Sequence, residues 1–173
     1  DNIWLHNAHL DMVAEFSMSL ADKPQIQLYA ELSAEDLMIA DYYYPPDYMG
    51  QPAIDYLNGA IKAGKTDFTQ VLWSGDLAAF PYDHHEGIFL VNVLLSDVDF
   101  LFTAGWPVLS DIDGQLLFKN DTLTIVPHGG YFLDIEVAGK AEARLPSLSN
   151  PQILELDIDA TESAAKAAKL FRA

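Results

Sequence analysis

The 173-residue chain reads as an α+β protein that is mostly β. An antiparallel sheet carries two short helices near residues 34–64 and a C-terminal helix. Three observations carry this reading. Apolar and polar residues alternate at period two before residue 33 and after residue 65. Short turns join most of these segments, which suits antiparallel pairing. Nothing alternates as strand, helix, strand, so a doubly wound parallel sheet is disfavoured.

Met12, Ala14, Phe16, Met18 and Leu20 alternate with Val13, Glu15, Ser17 and Ser19. After "ADKP" the alternation resumes at Ile26, Leu28, Ala30 and Leu32, which predicts a hairpin with one buried face. Residues 3–10 are expected to add another strand. It would hold His6 and His9 on opposite faces, since three residues separate them.

Ser33 with Asp36 resembles a capping box opening a short helix. "YYYPPDY" (42–48) must end it, because Pro45 and Pro46 cannot continue a helix. Pro52 suits the first turn of a second helix. Its apolar stripe is Ala53, Ile54, Leu57, Ala60 and Ile61, and Gly64 is its expected stop.

From 65 to 159 the pattern predicts about seven strands. Val71 and Trp73 share a face; the first strand here ends near Leu77. "GIFLVNVLL" (87–95) is apolar on both faces and is expected to be central. Phe100 and Phe102 share a face. Ile112, Leu116 and Phe118 lead to a hairpin at Asn120-Asp121, followed by Leu123 and Ile125. "HGG" (128–130) is expected to turn, and Gly139 to bend a long strand. Leu154, Leu156 and Ile158 alternate with Glu155, Asp157 and Asp159. "ATESAAKAAKLFRA" (160–173) is expected to be a helix capped by Thr161, with Lys166, Lys169 and Arg172 at its C-terminal end.

Composition narrows function. Twenty-six acidic and nine basic residues give a formal charge of −17, which disfavours nucleic acid or anionic headgroups as electrostatically held partners. The absence of cysteine excludes disulfides, thiolate metal sites and a Cys nucleophile. No run approaches 18 apolar residues, so no segment reads as a transmembrane helix. The chain begins without Met or a signal peptide, and is expected to be a piece of a longer protein.

Chemistry has few candidates. Asp83, His84, His85 and Glu86 are consecutive, so on an extended chain they point to alternate faces and cannot converge on one ion. Only His84 with Glu86, or Asp83 with His85, share a face; His128 is the one other His in the strand-rich part. A polar turn accounts for the four better than a metal-dependent hydrolase does. Asp111 and Asp113 flank Ile112 as a carboxylate pair, an arrangement commoner as exposed charge. No G-x-S-x-G, P-loop or G-x-G-x-x-G is present. Neither a catalytic residue, a metal nor a cofactor is therefore expected.

What remains is apolar sheet face: Phe100, Phe102, Leu116, Phe118, Leu123, Ile125, Leu133, Ile135, Val137, Leu154, Leu156 and Ile158. A second sheet, a helix or an apolar ligand must cover it. A non-enzymatic β-sandwich binding carbohydrate or protein is one outcome, its contact surface the aromatics near Tyr42–Tyr44 and Trp106. A groove for something greasy is the other.

Three segments resemble the YhdP-type, AsmA-like proteins of the Gram-negative envelope. They are "YLNGAIKAGKTDFTQVLWSGDLAAFPY" (56–82), "GWPVLSDIDGQLLFKNDTLTI" (105–125) and the final "ATESAAKAAKLFRA". The resemblance covers roughly 34–173 and its motifs are structural. It implies one section of a large periplasmic protein anchored in the inner membrane, similar to bridge-like lipid transfer proteins. The sheet would then curve into a taco-like groove whose apolar face carries phospholipid acyl chains, with neighbouring β units of the same chain beside it. In that frame 1–33 ends a preceding β unit, 34–64 is a helical connection, and 65–173 is a β unit closed by the C-terminal helix.

Overall fold

Consecutive strands pair with their sequence neighbours, so the chain forms a meander. The computed structural model describes residues 2–20, 22–44, 46–82, 84–132, 135–136, 141–150 and 152–158. The strands are β1 (Asn2–His6), β2 (Leu10–Ser19), β3 (Gln25–Ala34), β4 (Ile61–Asp76), β5 (Gly87–Phe100), β6 (Leu109–Lys119), β7 (Thr122–Phe132), β8 (Ile135–Glu136), β9 (Ala141–Leu145) and β10 (Glu155–Ile158). All belong to one antiparallel sheet in the order β1-β2-β3-β4-β5-β6-β7-β9-β10, with β8 paired to β7. Residues 1–33 and those after 65 share this sheet, and no second sheet faces it among the described residues.

The register explains why alternation was so regular. Side chains one position apart point to opposite faces, so aligned strands line up their apolar sets. One row runs Ile3, Ala14, Ala30, Val71, Val91, Phe118, Leu123 and Leu145 from β1 to β9. The next parallel row runs Leu5, Met12, Leu32, Thr69, Val93, Leu116, Ile125, Ala143 and Leu156 from β1 to β10. Thr69 is the single polar residue in the two.

The helical connection lies between β3 and β4. A 3₁₀ segment spans Leu37–Tyr43, α1 spans Pro46–Met49 and α2 spans Gln51–Ala60. Asp36, not Ser33, is the cap: its carboxylate accepts from the Met38 N–H at 2.8 Å, while Ser33 stays in β3. Helix α2 buries Ala53, Leu57 and Ala60, three residues of the expected stripe.

Two expected breaks, at Gly64 and at "HGG", lie inside strands. Helix α2 ends at Ala60, and Ile61 already pairs with Phe100 in β4, so Gly64 lies inside a strand. A Cβ on Gly64 would come within 2.4 Å of Val98, and its φ is +124, so it serves an irregular stretch of β4. "HGG" lies inside β7: the register with β6 shifts around Asp113 opposite Gly129, so these glycines absorb a bulge. His9 lies in the turn after β1. Leu77 begins a short 3₁₀ turn (Leu77–Ala79) instead of ending β4. Leu133, Val137, Gly139 and the 160–173 helix with its Thr161 cap lie outside the described residues.

The shared motifs prove to be locks. Tyr82 is buried, and its hydroxyl accepts from Trp73 Nε1 at 2.7 Å. Gly75 and Gly87 face each other in register, and a Cβ on either would strike the Tyr82 ring at 2.6–2.9 Å. Phe80, joined to Pro81 by a cis bond, packs edge-on against Tyr82 and Phe89. Thus W-x-G, F-P-Y and Gly87 form one aromatic plug at the β4–β5 turn. Asn120, at φ +55 in the β6–β7 hairpin, accepts from the Phe89 N–H at 3.0 Å. Asp121 accepts from Ser147 Oγ and from the N–H and Oγ of Ser149, at 2.6–2.8 Å.

Candidate functional site

Over β1 to β6 the two apolar rows contribute to the floor of an open groove of about 500 Å³. Its floor holds Leu10, Met12, Ala14 and Phe16 of β2, Leu28, Ala30 and Leu32 of β3, Val71 and Trp73 of β4, and Phe89, Val91 and Val93 of β5. Leu116 and Phe118 of β6 end it. The groove therefore runs along the hydrogen-bonding direction, across the strands.

Its rims come from the connections. Leu37, Ile39, Ala40, Tyr43 and Tyr44 line one side. Asn7 Nδ2, from the β1–β2 turn, donates to the Tyr43 hydroxyl at 3.0 Å, which ties that turn to the 3₁₀ segment. On the other side Trp73 and Phe89 belong to the aromatic plug, with ring centroids 5.3 Å apart.

Few polar groups meet the groove, and most are spent. Thr66 Oγ1 donates to the Phe68 carbonyl at 3.0 Å and lies 3.1 Å from Thr69 Oγ1, so these buried hydroxyls satisfy each other. Burial, with the nearby Asp41 charge adding to it, pushes the Tyr44 hydroxyl up to about 12. It is neutral at physiological pH. Asp36 is the groove's one carboxylate among the described lining residues, and it is spent on Met38. Such a cavity takes apolar matter and offers little for polar recognition.

The twelve sequence-derived groove residues divide. Phe100, Leu116 and Phe118 line the open groove. Phe100, Phe102, Ile125 and Leu156 line a small cavity beyond it. Leu123 is buried in the core, and Leu154 packs at that core's edge. Ile135 and Ile158 have described backbone only, in β8 and β10. Leu133 and Val137 lie outside the described residues. Most of the open groove is built from residues 10–32, 71–73 and 89–93, which the sequence reading left out. Their signal was the same period-two alternation. It went unused for 87–95 because a strand apolar on both faces does not say which face is inner.

The chemical candidates separate. His84, His85 and Glu86 are exposed in the β4–β5 turn, where the His84 N–H donates to Glu86 at 3.1 Å; Asp83 lies outside the described residues. His128 is exposed on β7. Among the described residues no three His, Cys, Asp or Glu come together as metal ligands. Asp113 accepts from the Asp97 N–H and Asp99 from the Asp111 N–H, so these acids brace the β5–β6 irregularity. Tyr42 and Trp106 are both exposed.

Comparison with known proteins decides the family. The family model described as "YhdP protein" matches residues 1–173. The chain belongs to the YhdP family. It is 35% identical over 138 residues to the intermembrane phospholipid transporter YhdP of Escherichia coli (strain K12), covering 80% of this chain and 11% of that relative. No solved structure matches it. This YhdP-family chain therefore spans about a tenth of the length of that relative. Among the described residues no helix is long and apolar enough to cross a membrane.

Proposed function

We propose that this chain is one periplasmic section of a conduit that carries phospholipid acyl chains between the inner and outer membranes. The parent protein is anchored in the inner membrane. The observation that carries the proposal is the row from Leu5 to Leu156, apolar at every strand but β4, where Thr69 is internally bonded. Burying an acyl chain is worth about 0.8 kcal/mol per methylene, so such a row holds lipid without polar contacts. A floor that runs across strands lengthens with each strand added. At the β1 edge of the described sheet the two rows end on Ile3 and Leu5, both exposed. A strand of a neighbouring β unit of the same chain would continue the floor there. No part of the reading requires catalysis.

The test is site-specific photo-crosslinking in the full-length protein in cells. A crosslinker at Leu32 or Val71, on the floor, captures phospholipid. One at Leu72, on the opposite face, does not. Equal capture at both positions overturns the proposal.

A further inference from the structure

The groove does not stop cleanly at β5. Leu95, Val98 and Phe100 wall both the groove and the small cavity of about 40 Å³ behind it. Phe102 and Trp106 in turn wall both that cavity and a broad solvent-facing depression of about 780 Å³. Three spaces thus lie in series, separated by Leu95, Val98 and Phe100 at the inner wall and by Phe102 and Trp106 at the outer. Phe100 and Phe102 pack edge to face with centroids 5.0 Å apart. Phe102 and Trp106 lie outside regular structure, between β5 and β6, where Thr103, Ala104, Gly105 and Trp106 are exposed. The stretch is pinned at its start, the Leu101 N–H donating to the Ala60 carbonyl at 2.7 Å.

The outer depression differs in chemistry from the groove. Leu145, Leu154 and Phe102 supply an apolar base, while Asp55, Lys62 and Gln152 sit exposed around it. The Tyr56 ring lines it too, and the Tyr56 hydroxyl is shut from water with no hydrogen-bond partner. A buried hydroxyl left unpaired is costly, so a ligand that reached it would be rewarded. Lys62 has no ion-pair partner among the described residues.

We propose that this depression is a lateral port, which seats a glycerophospholipid headgroup while an acyl chain reaches the groove past Phe102 and Phe100. Lys62 faces the phosphodiester and Asp55 an ammonium group. The port therefore favours a zwitterionic headgroup over an anionic one, in keeping with the chain's −17 charge. The inference rests on the groove carrying acyl chains.

The experiment places one photo-crosslinker at Gln152, in the port, and another at Leu32, in the groove, of the full-length protein in cells. Adducts are identified by mass spectrometry. Phospholipid is expected at both positions, with zwitterionic headgroups enriched at Gln152 relative to the membrane. Lys62→Glu is expected to lower the Gln152 adduct about fivefold and leave the Leu32 adduct unchanged. Lys62 is exposed, so this variant keeps the fold. Capture at Leu32 with none at Gln152 overturns the port and leaves the groove intact. A Gln152 adduct enriched in anionic lipid, or indifferent to Lys62→Glu, also overturns the port. Capture at neither position overturns the groove reading with it.

Discussion

Consider a carboxylate placed in the middle of the groove floor by Val91→Asp. Val91 sits on the central strand β5, between Val71 of β4 and Phe118 of β6. Neighbouring strands lie about 4.8 Å apart, so a hydrated carboxylate there spoils a span of about 10 Å along the lipid path. If roughly four methylenes lose apolar contact, at about 0.8 kcal/mol each, lipid binding falls by about 3 kcal/mol. That is roughly a 100-fold loss. Val91 is only half-buried and faces the open groove, so the carboxylate stays wet in the empty protein and the fold survives. The matched control is Leu94→Asp, three residues away on the outer face and exposed. The assay is lipid capture by a crosslinker at Leu28 in the full-length protein, with thermal melting to confirm folding. Val91→Asp is expected to remove capture and Leu94→Asp to leave it. Unchanged capture in a folded Val91→Asp protein refutes the reasoning.

Other consequences test the scaffold. Tyr82→Ala empties the aromatic plug and is expected to cost about 3–5 kcal/mol in denaturant unfolding, whereas Tyr82→Phe keeps the ring and gives up the bond from Trp73, about 1–2 kcal/mol. Asn120→Ala leaves the Phe89 N–H without its side-chain acceptor and is expected to cost about 1–2 kcal/mol by the same measurement. His84→Ala with His85→Ala changes exposed turn residues and is expected to shift stability by under about 1 kcal/mol and leave lipid capture unchanged. Burial, with the Asp41 charge adding to it, raises Tyr44 to about 12, and burial raises Tyr56 as well. Above the unfolded value near 10 the unfolded chain loses these protons while the folded chain keeps them, so stability is full below pH 10 and falls between 10 and 12. Melting curves across that range, flattened in Tyr44→Phe, check the sign.

Much of the fold was legible because one face of the sheet is apolar at nearly every strand. That constraint writes period-two alternation into β2, β3, β6, β7 and β10, and the Asn120-Asp121 hairpin announces itself by turn chemistry. The glycines misled for a physical reason. Gly64, Gly129 and Gly130 permit irregular backbone inside paired strands, and a sequence cannot distinguish that use from a chain reversal. The cap shifted from Ser33 to Asp36 because β3 gains more by extending its pairing with β4 to Ala34. The groove was legible as a surplus of apolar face but not in place. Which strands leave that face open depends on where α2 and the β5–β6 connection pack, and they cover the Phe100–Phe102 end. The residues of "DHHE" drew notice by type, yet the neighbours Phe80, Tyr82 and Gly87 do the structural work there.

The most direct test of the account is a comparison of crosslinkers along one row and its reverse face in the full-length protein. Positions Leu32, Val93 and Leu116 lie on the floor; Glu31, Leu94 and Leu117 are their sequence neighbours on the other face. The account predicts phospholipid adducts at all three floor positions and none at the three neighbours. Adducts that ignore this alternation, or that appear on the outer face alone, contradict it.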